Sequence, residues 1–488
     1  MSSTTRAHSQ STGAKHCRPR ASRRTTPRRR TAGRPVGSVG EPGWLRRNIE
    51  RQRLRKAELR ERHAFRALAK DTLSLLSKEE VEAIAKECGF YKRAPKEIPA
   101  FEFALCCAMA SLTEAKRGFA TVWRLLAAAA GIEVARSAVT QRFGEGSANL
   151  MREAYARAVE RLPSSPCPDI LGRLEQFDSV LADDGSVITL SPLLKKLFPA
   201  TRTNSVDAAG KVHATADLLR RRVTRVEITG ERESELAVSR SRPLQAGTLY
   251  MSDLGYTSYE YFADIKHAGA DLVFRLKDNA NPKIVKVRHG ICAPVSAVKS
   301  KLGLDSKELR FTRTHHTFDV DAEFPTNNGT VVLRAVGRFN SATGKYHCYV
   351  TTLSPEEFSP EDVAALYSLR WVIELLFKLL KSSCHLDHVD TSNPDALRTH
   401  IYASLLAATI LSSMCHAAAS VYEIPGYAIS ALTAGIAAPL LALPLLYLWN
   451  ATEITPQKLA DMILRVLAVG CRDQNPKRTI AKWGALAA

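Results

Sequence analysis

Apolar and polar residues alternate in four different ways along this chain. From Met1 to about Arg62, Ser, Thr, Arg, Pro and Gly dominate up to Gly43 and the apolar residues that a core needs are missing. That composition predicts an Arg-rich arm without fixed structure over 1–62. From 63 to 162 apolar residues recur at helical spacing with short Gly or Ser breaks. In LSKEEVEAIAKECGF, Ser77 caps a helix with Glu80 three residues on, and Gly89 ends it. AFEFALCCAMASL reads as a buried helix with Cys106 and Cys107 as small core residues, and Ser137–Phe143 reads as a recognition helix after a tight turn at Gly131.

Beyond Pro163–Pro168, a Pro- and Ser-rich linker, the period shortens. SVLADDGSVITL, KVHATADLL, RRVTRVEIT, GTLYMSDLGY and ADLVFRLK are five strand-like runs, with helices over ERESELAVSRS and SYEYFADIKHAG. Three strands, a helix, a strand, a helix and a strand make an α/β core over 169–283. Short strands continue over 284–358 as a β-rich insertion. At Ser359-Pro360-Glu361-Asp362 a capping Ser, a Pro at the first helical position and acidic first-turn residues open a long helix, placed over 359–395. The remainder, 396–488, is helical and apolar.

Charge narrows the partners. The chain has 69 Lys and Arg against 49 acidic residues, a net +20 that favours a polyanion. Yet 18 basic and 4 acidic residues fall between Met1 and Arg62, so +14 of the excess lies in the arm. That arm is either a solvated tail or a non-specific phosphate-binding segment. Ten scattered cysteines without a CxxC pair suit neither a zinc site nor a disulfide framework, which points to a reducing cytoplasmic setting. The uncharged run Ile424–Thr452 is long enough to span a membrane, but Pro439 and Pro444 interrupt it and no Lys or Arg brackets it closely, so a buried helical pair is the better reading.

The most informative segment is YSLRWVIELLFKLLK. At about 100° per residue, Arg370, Glu374, Lys378 and Lys381 fall in an arc of about 80° that also contains Tyr367. The remaining circumference is apolar apart from Ser368, and Trp371 reads as core. A helix apolar nearly all round, with one stripe holding a carboxylate among cations, presents that stripe to something anionic. An ion-paired surface edge, Glu374 with Lys378, is the plainer alternative.

Tyr367, Arg370, Glu374 and Lys381 fit Y-(2)-R-(3)-E-(6)-K, and the chain here resembles bacterial insertion-sequence DDE transposases. DDGSVITL is similar to that group's first-aspartate strand, and MSDLGYTSYEYFADIKHAGADLVFRLKDN to its second-aspartate segment. The likeness runs over about residues 65–420. It implies an RNase H-like catalytic core with a β-rich insertion, preceded by an all-α N-terminal DNA-binding domain and followed by C-terminal helices. It implies Asp184, Asp253 and Glu374 as metal-binding catalytic carboxylates holding two Mg²⁺ ions, with Mn²⁺ a possible substitute. Tyr367, Arg370, Lys378 and Lys381 would then contact DNA phosphates. Asp184 is chosen over the adjacent Asp183 because Gly185-Ser186 follow it. Leu254 stands where many relatives carry Arg or Lys, and the Arg-rich arm lies outside the family pattern.

The activity so implied is binding of terminal inverted repeats, DNA strand cleavage and strand transfer into target DNA, by a homodimer in the synaptic complex. The setting would be cytoplasmic and nucleoid-associated, with no membrane and no nucleotide cofactor, since no Walker-type loop is present. A stand-alone RNase H-like nuclease and a non-catalytic repressor derived from a transposase are the competing readings. His315-His316 lack partners at ligand spacing and read as strand residues, and Leu193–Phe198 reads as a solvated loop.

Overall fold

The computed structural model describes residues 43–91, 97–113, 118–162, 173–201, 206–220, 222–277, 280, 282–289, 317–340, 345–387, 389, 391–424, 429–450 and 455–465. The arm up to residue 42, the linker Pro163–Pro168 and His315-His316 lie outside the described residues.

Helix α1 spans Gly43–Asp71, and by its contacts the chain divides between Leu54 and Arg55. The expected structureless arm is therefore corrected over 43–62. The reason is local: past Gly43 the segment has no Gly or Pro and is rich in Arg, Leu, Glu, Lys and Ala, all good helix formers. In the second unit follow α2 (Lys78–Glu87), α3 (Ala100–Thr113), α4 (Phe119–Ala130), α5 (Arg136–Arg142) and α6 (Glu145–Arg161). Ser77 Oγ accepts the Glu80 N–H at 3.2 Å at the start of α2. Gly131 ends α4 in the left-handed region, φ 66°, and Trp123 Nε1 donates to Val134 O at 2.7 Å across that turn. Cys106 and Cys107 are buried on α3.

Among the described residues, nine strands form one mixed sheet in the order β3-β2-β1-β4-β5-β9-β8-β7-β6. They are β1 (Ser179–Thr189), β2 (Ala209–Asp217), β3 (Arg222–Gly230), β4 (Thr248–Ser252), β5 (Asp271–Arg275), β6 (Lys283–His289), β7 (Thr317–Thr326), β8 (Gly329–Asn340) and β9 (Lys345–Thr351). The first three run antiparallel to one another, while β4 and β5 lie parallel to β1. Helix α7 (Glu235–Arg240) connects β3 to β4, and α8 (Tyr259–His267) connects β4 to β5. This is the strand and helix order expected for 169–283. The later strands β6 to β9 extend the same sheet by antiparallel pairing through β9 on β5, so the expected insertion continues the core sheet at its edge.

The sheet has two apolar faces. Tyr250, Phe262, Phe274, Phe318 and Phe324 gather on the side covered by α8. Val180, Ala182, Leu249 and Met251 face the other side, where helices α9 (Pro360–Ser368), α10 (Trp371–Ser382), α11 (Pro394–Val421) and α12 (Ala431–Asn450) join one large core, α13 (Pro456–Arg465) completing it. Helix α11 packs mainly on α6 and α3, and α12 packs on α3. The N- and C-terminal helical regions, expected as separate, thus share a core. Ser413 donates to Asp71 O, and Thr72 Oγ1 meets Ser413 Oγ at 2.9 Å, which ties α11 to the end of α1. Each fully buried Leu of that interface, such as Leu406, contributes about 1.5–3 kcal/mol.

Two expectations change here. In place of the helical pair expected over 424–452, Pro439 and Pro444 lie inside one helix, α12. By length and composition α11 and α12 could each cross a membrane; 67% of the most apolar window of α11 is buried inside the protein, and 44% of that of α12. The long helix opened by Ser359 is also broken. Ser359 caps the helix as expected and Asp362 bonds back to it, but the chain turns at Leu369-Arg370, where hydrogen bonds tighten from four residues to three, Arg370 N to Tyr367 O at 3.1 Å and Ile373 N to Arg370 O at 3.0 Å.

Candidate active site

The ladder between β1 and β4 ends with Ala182 opposite Met251, so Asp184 and Asp253 each stand two residues beyond it and share one face of the sheet. Asp253 lies at the carboxyl end of β4 and begins a short turn over Leu254–Tyr256. Helix α10 lies against that face, burying Ile373, Phe377 and Leu380, which sets Glu374 on its first turn above the two aspartates. Three carboxylates separated by 69 and 121 residues in sequence are brought together in this way.

One guanidinium bridges them. Arg370 Nη1 is 3.6 Å from Asp184 Oδ2, Nη2 is 3.8 Å from Asp253 Oδ2, and Nη2 also bonds Glu374 Oε1. The turn at Leu369-Arg370 aims this side chain between strands and helix. Tyr367, at the end of α9, donates its hydroxyl to Asp253 Oδ1 at 2.8 Å, with its ring 4.9 Å from that of Tyr349. Tyr367, Arg370 and Glu374 of the expected stripe therefore converge on both aspartates. Lys381 sits two turns on and donates to Val187 O of β1 at 2.7 Å, whereas Lys378 points to solvent. Trp371, expected in the core, is 48% exposed. On the helical wheel it falls at about 40°, beside the charged arc rather than opposite it.

The two aspartates differ in proton affinity. Burial pushes Asp184 up to about 6, with Glu374 and Glu235 adding to the rise and Arg370 and the Gly185 N–H opposing it. Burial also raises Asp253, but the Tyr367 hydroxyl, the Leu254 N–H, Arg370 and Arg275 outweigh it and hold that carboxyl below the ordinary range. Asp183 faces the opposite side of the sheet, where Arg242 grips it bidentately at 2.6 and 2.7 Å while Thr215, Ser239 and Ser252 donate hydroxyls to it.

Residues 175–410 match the family model described as transposase DDE domain. Over those residues the chain carries a transposase DDE domain. It is 22% identical over 369 residues, 68% of this chain and 76% of the relative, to the transposase for insertion sequence element IS231C of Bacillus thuringiensis subsp. berliner. It is 45% identical over 65 residues, 13% of this chain and 18% of the relative, to the putative transposase InsL for insertion sequence element IS186A of Escherichia coli (strain K12). Among solved structures, a cryo-EM piggyBac transposase synaptic complex with hairpin DNA aligns over 83% of this chain and 84% of that one at 11% identity and TM-score 0.40. The matched family makes the transposase a metal-dependent enzyme of DNA cleavage and transfer.

Its three carboxylates are hard oxygen donors of the kind that bind divalent cations. The Arg370 guanidinium stands among them, and among the described residues no three His, Cys, Asp or Glu side chains are grouped so as to hold one ion. Sequence reasoning missed three contributors: Arg275, whose charge acts on Asp253, Tyr349, which backs Tyr367, and Glu235, whose charge acts on Asp184. Arg275 ends the strand beside β4, and that adjacency is the one signal that could have found it.

Proposed function

We propose that the transposase binds the terminal inverted repeats of its own insertion sequence, cuts DNA strands there and transfers them to target DNA, with Asp184, Asp253 and Glu374 as catalytic carboxylates. The observation that supports this most is their convergence on one guanidinium from β1, β4 and α10. Three carboxylates neutralised by one side chain leave excess negative charge, which a pair of Mg²⁺ ions would balance, with Mn²⁺ a substitute. Bound there, the metal would supply electrostatic stabilisation and activation of the attacking oxygen.

The chain's own groups do the rest. Arg370 swings from between the carboxylates to a DNA phosphate, for which its planar fork is suited. Tyr367 fixes the Asp253 carboxylate by its hydroxyl, and Lys381 and Lys378 supply positive charge along α10. The strand order β3-β2-β1-β4-β5, with β1 antiparallel to β2 and parallel to β4, supports an RNase H-like core. The exposed residues Arg136, Ser137, Thr140 and Gln141 of α5 support end recognition by the helical region. A homodimer would hold two ends together, in the cytoplasm at the nucleoid.

The test uses duplexes spanning the junctions of the inverted repeats that flank the coding sequence, incubated with Mg²⁺ and wild-type or Glu374→Gln protein. Cleavage at the repeat boundary, lost in the variant while gel-shift binding persists, is the expected result. Binding without cleavage by the wild type in Mg²⁺ and in Mn²⁺ would overturn the catalytic reading in favour of a repressor. Cleavage by the variant at the wild-type rate would overturn the role of Glu374.

A further inference from the structure

On the face of the sheet opposite Arg370, a fourth carboxylate reaches beneath the two aspartates. Glu235 is the first residue of α7, and its side chain is 28% exposed. Lys211 of β2 holds it from one side, Nζ 3.4 Å from Oε1. A Cβ added to Gly255 would stand 2.5 Å from Glu235 Oε2, and one added to Gly185 would stand 2.9 Å from Oε1. Among the described residues, chain neighbours aside, that carboxylate is all that lies within 4 Å of the Gly255 position, and for Gly185 the three nearest atoms all belong to Glu235. Neither glycine has the positive φ that would itself demand glycine. Gly185 directly follows Asp184 and Gly255 comes two residues after Asp253, so the space that both glycines leave open is filled by one side chain.

This happens where the strands part. The β1–β4 ladder pairs nothing beyond Ala182 and Met251, and β1 runs on to Thr189 while β4 ends at Ser252. Main-chain bonding between them therefore stops short of both aspartates. We infer that Glu235 is a positioning residue, a carboxylate prop wedged between Gly185 and Gly255 that fixes the separation of the Asp184 and Asp253 backbones and so readies them for divalent ions. The inference rests on the proposed roles of those aspartates. A plain alternative gives Glu235 only the favourable place of an acid at a helix N-terminus. That alternative predicts that size and shape at 235, 185 and 255 are independent of one another.

Calorimetric titration of the full chain with Mn²⁺ separates these. Asp253→Asn serves as the control for the site itself, and thermal melts without metal report folding. Glu235→Gln keeps the shape of the prop and is expected to bind Mn²⁺ within about threefold of wild type. Glu235→Ala removes the prop, and Gly255→Ala drives a methyl into Oε2; each is expected to weaken binding tenfold or more. Combining Glu235→Ala with Gly255→Ala puts the methyl into the vacated space and is expected to restore part of the affinity, a sign of direct coupling. Wild-type affinity in Glu235→Ala, or additive losses in the double variant, would overturn the prop while leaving the site intact. Undiminished binding in Asp253→Asn would instead overturn the site assignment on which the prop rests.

Discussion

Asp183 and Asp184 are neighbours in sequence and opposites in environment. Asp183 is saturated: a bidentate buried arginine and three hydroxyls satisfy both its oxygens, and the side chain is only 4% exposed. Asp184 shares its one guanidinium with two other carboxylates and accepts a bond from the Gly185 N–H. Alternation along a strand, which sends successive side chains to opposite faces, is all that separates them. A fully matched buried charge builds structure, whereas a carboxylate left to share a counter-charge is available for chemistry. Sequence composition cannot tell the two apart.

The largest effect should come from the chemical side of that contrast. Asp184→Asn is expected to lower junction cleavage by on the order of 10³-fold or more, several kcal/mol of charge stabilisation, with gel-shift binding kept. Asp183→Asn should act on the fold instead. It leaves Arg242 buried without its full partner and is expected to cost about 3–5 kcal/mol in denaturant melts. If Asp183→Asn folds as well as wild type, the saturation argument fails.

The next effect is one of pH. Asp184 binds its proton more tightly in the folded protein, up to about 6, than in the unfolded chain. Between about pH 4 and pH 6 the folded state therefore holds more protons, and stability falls as pH rises through that window. Below it both states are protonated, and above it the penalty is complete. Asp184→Asn abolishes the penalty, so melts of variant and wild type should diverge from about pH 4 and run parallel above about pH 6. Parallel curves throughout would mean that Asp184 is not desolvated. The smallest effect belongs to Lys378, exposed on α10. Lys378→Ala should weaken DNA binding uniformly across sequences and lower the salt dependence of binding by about one counterion, without changing stability.

Much of the core was readable because its signals are local. Five strand-like runs and two short helices stand in the order expected, and the Ser77 and Ser359 caps form as read. The gathering of Tyr367, Arg370 and Glu374 was visible in helical periodicity, although the wheel assumed an unbroken helix. The break at Leu369-Arg370 was not visible, since every residue there is compatible with a helix and only packing against two different elements tightens the turn. The shared core of α3, α6, α11 and α12 was hidden for a related reason. Apolar helices far apart in sequence show no mark of which others they will cover. Pro439 and Pro444 misled in the other direction, because proline weakens a helix without always ending it. Glu235 escaped notice because an acid after a capping serine is ordinary, and its contacts with Gly185 and Gly255 exist only once β1, α7 and the end of β4 are assembled.

The most direct test of the contrast is the shift in melting temperature on adding Mn²⁺, measured on wild type, Asp183→Asn and Asp184→Asn. A ligand that binds only the folded state stabilises it by about 2.7 kcal/mol at a hundredfold excess over Kd. Wild type should gain stability with Mn²⁺, Asp183→Asn should melt lower but keep the gain, and Asp184→Asn should lose it. A gain retained by Asp184→Asn and lost by Asp183→Asn would reverse the two roles and contradict the account.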